Sequence, residues 1–74
     1  MKVGDFVTFS GCYQVEVRGQ KRFEMNSRKR RGMIVQKLPP AEGEVRVRVF
    51  SENEFCVLSI LEKDVEIQVI NESR

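Results

Sequence analysis

At 74 residues the chain has room for one domain and one small core, and a domain of this size buries only about 60% of its unfolded surface. Apolar residues make up 41% and charged residues 32%, a balance that suits a soluble domain, and no apolar run approaches the roughly 18 residues of a membrane span. There is no histidine, and the two cysteines, Cys12 and Cys56, form no CxxC pair, which excludes histidine-built metal sites, disfavours structural zinc and implies no cofactor.

The net charge of +2 conceals an asymmetry. Residues 18–31 carry Arg18, Lys21, Arg22, Arg28, Lys29, Arg30 and Arg31 against Glu24, a local charge of +6 that leaves −4 for the rest. From Phe50 onward there are six acids and two bases. The chain therefore has a basic pole and an acidic end.

The opening residues Met1–Asp5 enter a strand pattern at once and lack the apolar core of a signal peptide, which makes the cytoplasm the expected compartment. There both cysteines are expected as thiols. Gly4-Asp5 suits a turn, and Phe6, Val7, Thr8 and Phe9 are strand formers. Ser10-Gly11 breaks the run. Tyr13, Val15 and Val17 then alternate with Gln14, Glu16 and Arg18, Gly19-Gln20 signals a turn, and Lys21–Met25 fits a short return arm. Asn26-Ser27 and the four bases after them show no apolar period and are predicted to be loop. Residues 10–31 thus read as a long basic excursion, a protruding hairpin inserted into the fold.

The pattern is clearest in Gly32–Leu38 and its return, Glu44–Phe50. In the second arm Val45, Val47 and Val49 share one face, and Arg46 and Arg48 share the other. Pro39–Gly43 pairs poorly and reads as the connecting loop. Ser51–Glu54 is a polar turn, Glu54–Ile60 the next strand, Leu61–Asp64 a single 3₁₀ turn, and Val65–Ile70 a last strand with Val65, Ile67 and Val69 inward; Asn71–Arg74 should fray. No segment carries a helical period.

Short strands without helices must pack sheet on sheet or close on themselves, so the expected class is all-β with five core strands. Their order, with a long insertion after the first strand and a 3₁₀ turn before the last, resembles the SH3-like barrel. The opening Gly4-Asp5-Phe6-Val7 with Gly11, and the second start Gly32-Met33-Ile34-Val35, resemble a KOW-type module, although about twenty residues separate Gly11 from Gly32 where that motif has a short link. The KOW resemblance implies contacts with RNA or ribonucleoprotein. Compact barrels that open on glycine-aspartate are also similar to small accessory proteins of tailed bacteriophages.

The basic excursion is the strongest functional candidate. Arg18, Lys21, Arg22, Arg28, Lys29, Arg30 and Arg31 are placed to neutralise phosphates, Phe23 to stack on a base, and Arg46 and Arg48 to extend the positive surface. Two other readings stand beside it: a solvated loop whose charges prevent aggregation, with Phe23 and Met25 pinned to the barrel, and a contact with an acidic protein surface. Capture of proline-rich peptides is disfavoured, because there is no tryptophan, one tyrosine and five scattered phenylalanines. A methyl-lysine cage from Phe9, Tyr13 and Phe50 is a weaker reading than plain core packing. Catalysis lacks a base for Cys12 or Cys56, a context for Ser10 or Ser59, and a glycine-rich phosphate loop, and the carboxylates Glu62, Asp64 and Glu66 read as a solvated face. The expectation is a non-enzymatic, monomeric or weakly dimeric module for RNA or single strands, with a protein–protein interaction module as the alternative.

Overall fold

The computed structural model describes residues 2–41, 44–60 and 65–70. The expected 3₁₀ turn at 61–64, the loop tip at 42–43 and the fraying tail at 71–74 lie outside the described residues. What is described is all-β. Strands β1 (Phe6–Val17), β2 (Gln20–Ala41), β3 (Glu44–Ser51), β4 (Glu54–Ser59) and β5 (Val65–Val69) form one antiparallel sheet. The order is β2-β3-β4-β1-β5, and β2 also pairs with β1. Hydrogen bonding therefore runs in a circuit from β1 through β2, β3 and β4 back to β1. β5 lies along Val7–Gly11 of β1, while β4 meets Gln14–Glu16 further on. Among the described residues no helix is long and apolar enough to cross a membrane.

Inside the circuit lie Val7, Phe9, Tyr13, Val15, Ile34, Val47, Val49, Cys56, Leu58 and Val65. These are the inward positions of each strand, as a period of two requires. Val45 and Val69 sit at strand ends and remain about two-fifths exposed, so the inward faces predicted for them are buried only in part. Phe9 and Tyr13 meet edge to face at 5.2 Å inside the core. Phe50 pairs instead with Phe55 on the outside. Packing, and not a cage, explains the first pair.

The structure corrects three local expectations. Residues 10–31 are not a protrusion: Tyr13 and Val15 are core residues, and the segment belongs to the continuous strands β1 and β2. Asn26–Arg31 is strand and not loop. It lacks an apolar period because β2 carries three residues, Ser27, Arg28 and Lys29, where β1 has only Ser10. Gly11 allows this bulge with φ +111°, and the Asn26 side-chain oxygen accepts the Arg28 backbone N–H at 2.9 Å. Finally, β2 runs through Pro39 and Pro40 to Ala41, with the register shifting between Leu38 and Ala41. A bulge is where a strand tolerates residues that cannot donate.

The expected polar turns are present, the first one residue early, at Arg18-Gly19. Both residues have positive φ (52° and 81°), as do Glu52 and Asn53 in the β3–β4 turn (52° and 66°). That is the signature of the two-residue turns whose twist matches a hairpin. Gly4 also has positive φ (97°). The turn it makes is fixed by the Lys2 backbone N–H donating to the buried Asp5 carboxylate at 3.0 Å.

Candidate nucleic-acid interface

Backbone register sorts the ten predicted contact residues. Strand β2 faces β1 with Glu24 opposite Tyr13 and Arg22 opposite Val15, while Phe23 and Met25 lie opposite Gln14 and Cys12 on the other face. Phe23 and Met25 are 79% and 83% exposed. An aromatic ring and a thioether held this far into water on a paired strand are not pinned to the body of the protein, as the solvated-loop reading would have them.

Four of the cations are committed to carboxylates. Lys21 lies 3.8 Å from Glu16. Arg22 grips one oxygen of Glu24 with Nε and Nη2, at 3.0 and 2.7 Å, and approaches Glu54. Arg48 donates to Gln36 at 2.9 Å, pairs with Glu16 at 3.2 Å and lies over the Phe55 ring. Arg46 donates to the Pro39 carbonyl at 3.2 Å; it is tethered without being neutralised.

Arg30, the fourth, is buried in the structure, contrary to its reading as an exposed phosphate contact. Its side chain is only 8% exposed. Nη1 donates to the Tyr13 hydroxyl at 3.4 Å, and Nη2 donates to the Ser51 carbonyl at 3.1 Å and to Glu54 at 3.3 Å. Glu52 completes the set at 3.3 Å, and the Phe9 ring lies 5.7 Å below. Burial works against the charge, but the Tyr13 hydrogen bond and the Glu52 carboxylate outweigh it and hold the guanidinium above the ordinary arginine value. The strand after the bulge points position 30 inward opposite Phe9, and only a long, forked cation can reach the β3–β4 turn from there.

Arg18, Arg28, Lys29 and Arg31 remain exposed, with no ion pair among the described residues. The last three crowd the bulge. Beside them opens a cleft of about 270 Å³ lined by Glu24, Asn26, Arg28, Lys29, Arg30, Glu52 and Glu54. Three cations face three carboxylates there, so the cleft itself offers an anion little. The positive field lies on the outer rim.

Sequence reasoning missed an outward row that crosses four strands: Phe6 opposite Met33, Met33 opposite Phe50, and Phe50 opposite Phe55. The three phenylalanines are 52%, 39% and 40% exposed, and the Phe50 and Phe55 rings lie 5.1 Å apart. The signal was present in the β3–β4 turn. If Val49 and Cys56 point inward, Phe50 and Phe55 must point out together.

The thiols are free. Burial pushes Cys56 up to about 11, against a partly offsetting pull from Arg30, so it stays protonated and inert at neutral pH. Compared with known proteins, the chain matches no family model, no curated protein and no solved structure.

Proposed function

We propose that this protein is a non-enzymatic module that binds single-stranded nucleic acid on a small SH3-like barrel. The circuit of β1 to β4, with β5 lying along the first half of β1, supports the barrel reading. One observation carries the function: Glu16, Glu24, Glu52 and Glu54 are already engaged by other cations, yet Arg28, Lys29 and Arg31 stand together at the bulge without an ion pair among the described residues. Phe23, exposed further along the same strand, provides a ring on which a base can stack. Every base has a π-face, so this contact tolerates any sequence. A single strand suits the site better than a duplex, because the Phe23 ring can stack only on a base whose face is not already covered by its neighbours in a helix.

The test is fluorescence anisotropy with mixed-sequence RNA and DNA oligonucleotides over a salt series. Three phosphate contacts predict a log–log slope near −2, from about 0.7 per phosphate on single strands. Replacing Arg28, Lys29 and Arg31 together by alanine should flatten that slope. No binding at low salt, or an unchanged slope in the triple variant, rejects the proposal.

The Phe6–Met33–Phe50–Phe55 row favours a second reading, a protein-docking module, since half-exposed aromatics are the usual anchors of interfaces. A partner that survives nuclease treatment in a pull-down, and is lost when Phe50 and Phe55 become serine, would support it.

A further inference from the structure

Where β1 parts from β4, the outer surface opens into a second cleft, of about 320 Å³. Its walls include Gln14, Phe23, Glu44, Arg46, Val57 and Ser59. Three features set it apart from an ordinary surface groove. Phe23 stands at its edge with a largely exposed ring, and Val57, directly opposite Gln14, gives it an apolar wall. Arg46 and Ser59, paired across β3 and β4, each carry a buried polar atom with no hydrogen-bond partner: Nε of the arginine, as in Arg30 and Arg48, and Oγ of the serine, the one hydroxyl so placed among the described residues. Such atoms are costly to leave unpaired, and a well-formed site is one place where they persist. Glu44 adds a carboxylate that makes no ion pair among the described residues.

The geometry points to a pocket for one flat base of the bound strand, and to a base whose amino group and ring carbonyl flank an unprotonated ring nitrogen: cytosine in preference to uracil. Phe23 takes the face. Rotation of the Ser59 hydroxyl and a small shift of Arg46 present donors to the carbonyl O2 and ring N3. Glu44 accepts from the 4-amino group, as a carboxylate does when it reads cytosine. In uracil a carbonyl oxygen replaces that amino group, and the carboxylate repels it. Phe23 and Arg28 are five residues apart on one strand, a span of about 15 Å, so a strand held at the bulge reaches the pocket within a few nucleotides.

This inference rests on the single-strand reading above, and the two can fail separately. The probes are oligocytidylate and oligouridylate dodecamers of RNA, titrated by anisotropy at neutral pH and low salt. The wild type should bind oligocytidylate about tenfold more tightly, a modest value for one base read by a charged contact. Glu44→Gln, whose amide can also donate, should remove the preference while keeping the salt slope. Phe23→Ala should weaken both ligands together, and since the ring is exposed its loss leaves the fold intact, as circular dichroism will show. Equal affinity for the two dodecamers, or a preference that survives Glu44→Gln, overturns the base pocket and leaves strand binding standing. Absence of binding to both overturns the two together.

Discussion

The molecule contains two antiparallel hairpins with the same kind of two-residue turn and very different strands. In β3–β4, Val47 and Val49 face Leu58 and Cys56 across the ladder, and apart from the turn-end pair Ser51 and Glu54 the inward positions are apolar. In β1–β2, the positions of β2 on the face of Val15, Tyr13 and Phe9 include Arg22, Glu24 and Arg30, directly opposite those three residues. One hairpin is held by its own two apolar faces. The other is a strand of charges laid against an apolar one, its charges matched by acids from β1, β2, the β3–β4 turn and the start of β4. A strand can thus be specified by its neighbour's pattern as well as by its own.

That asymmetry is most easily broken at Gly32, where β2 leaves no room for a side chain against β3. A Cβ on Gly32 would lie 2.5 Å from Val49 Cγ1 and 2.7 Å from the Phe50 carbonyl oxygen. The second contact is backbone and cannot rotate away. Gly32→Val should therefore cost about 3 kcal/mol or more through overpacking, and the circular dichroism melting midpoint should fall accordingly. A variant that melts with the wild type would show that the two strands are free to separate here.

The next largest effect separates Arg30 from the cations around it. Arg30→Met removes the charge that Glu52 and Glu54 share, along with donors to Tyr13 and Ser51. Breaking a buried pair costs about 3–5 kcal/mol, but Glu52 is mostly in water and rehydrates cheaply, so about 2–3 kcal/mol is expected in urea unfolding. Alanine at Arg28, Lys29 or Arg31 should stay within about 0.5 kcal/mol, the range for exposed positions. Similar losses at all four would erase the distinction between structural and available charge.

Legibility in the sequence followed the same divide. β3 and the strict alternation of Tyr13, Val15 and Val17 could be read directly, because little besides a half-buried strand produces an apolar period of two, and β4 was legible as a short apolar run after a polar turn. The path of Asn26–Arg31 could not. Its strand is set by pairing with Thr8 and Phe9 across a bulge, a long-range fact that leaves no local mark. The candidate site was half legible for the same reason: a run of cations announces charge, but only the register assigns Arg30 to the interior and Arg28, Lys29 and Arg31 to the surface. Glu44 and the cleft beside Phe23 belong to strands far apart in the chain.

A pH series probes the interior of the apolar hairpin. The Cys56 thiol titrates at about 11 in the fold against 9.0 ordinarily, chiefly because burial disfavours its thiolate. Its folded value is the higher, so its contribution to stability is complete below pH 9. Above that the unfolded chain ionises first, and stability falls by up to about 2 kcal/mol as the pH climbs to 11. Cys56→Ala should remove this fall, although the cavity lowers stability throughout. A decline identical in both proteins would assign it to other groups.

The smallest effect lies at the turn of the charged hairpin, and its sign is opposite. Arg18 holds φ 52° and Gly19 φ 81°, a pair of left-handed conformations that glycine accepts freely and arginine does not. Asparagine tolerates that region because its short side chain bonds to nearby backbone. Arg18→Asn creates the asparagine–glycine pair that such turns prefer, and should raise stability by about 0.5 kcal/mol. Arg18 is also one of the predicted contact cations with no ion pair among the described residues, so the substitution asks a second question of the same residue. If Arg18 serves only the turn, the variant melts higher and binds single strands with an unchanged salt slope. If its charge reaches a phosphate, the slope shallows by about 0.7 while the melting midpoint still rises, and the binding surface extends from the bulge to the far end of the hairpin.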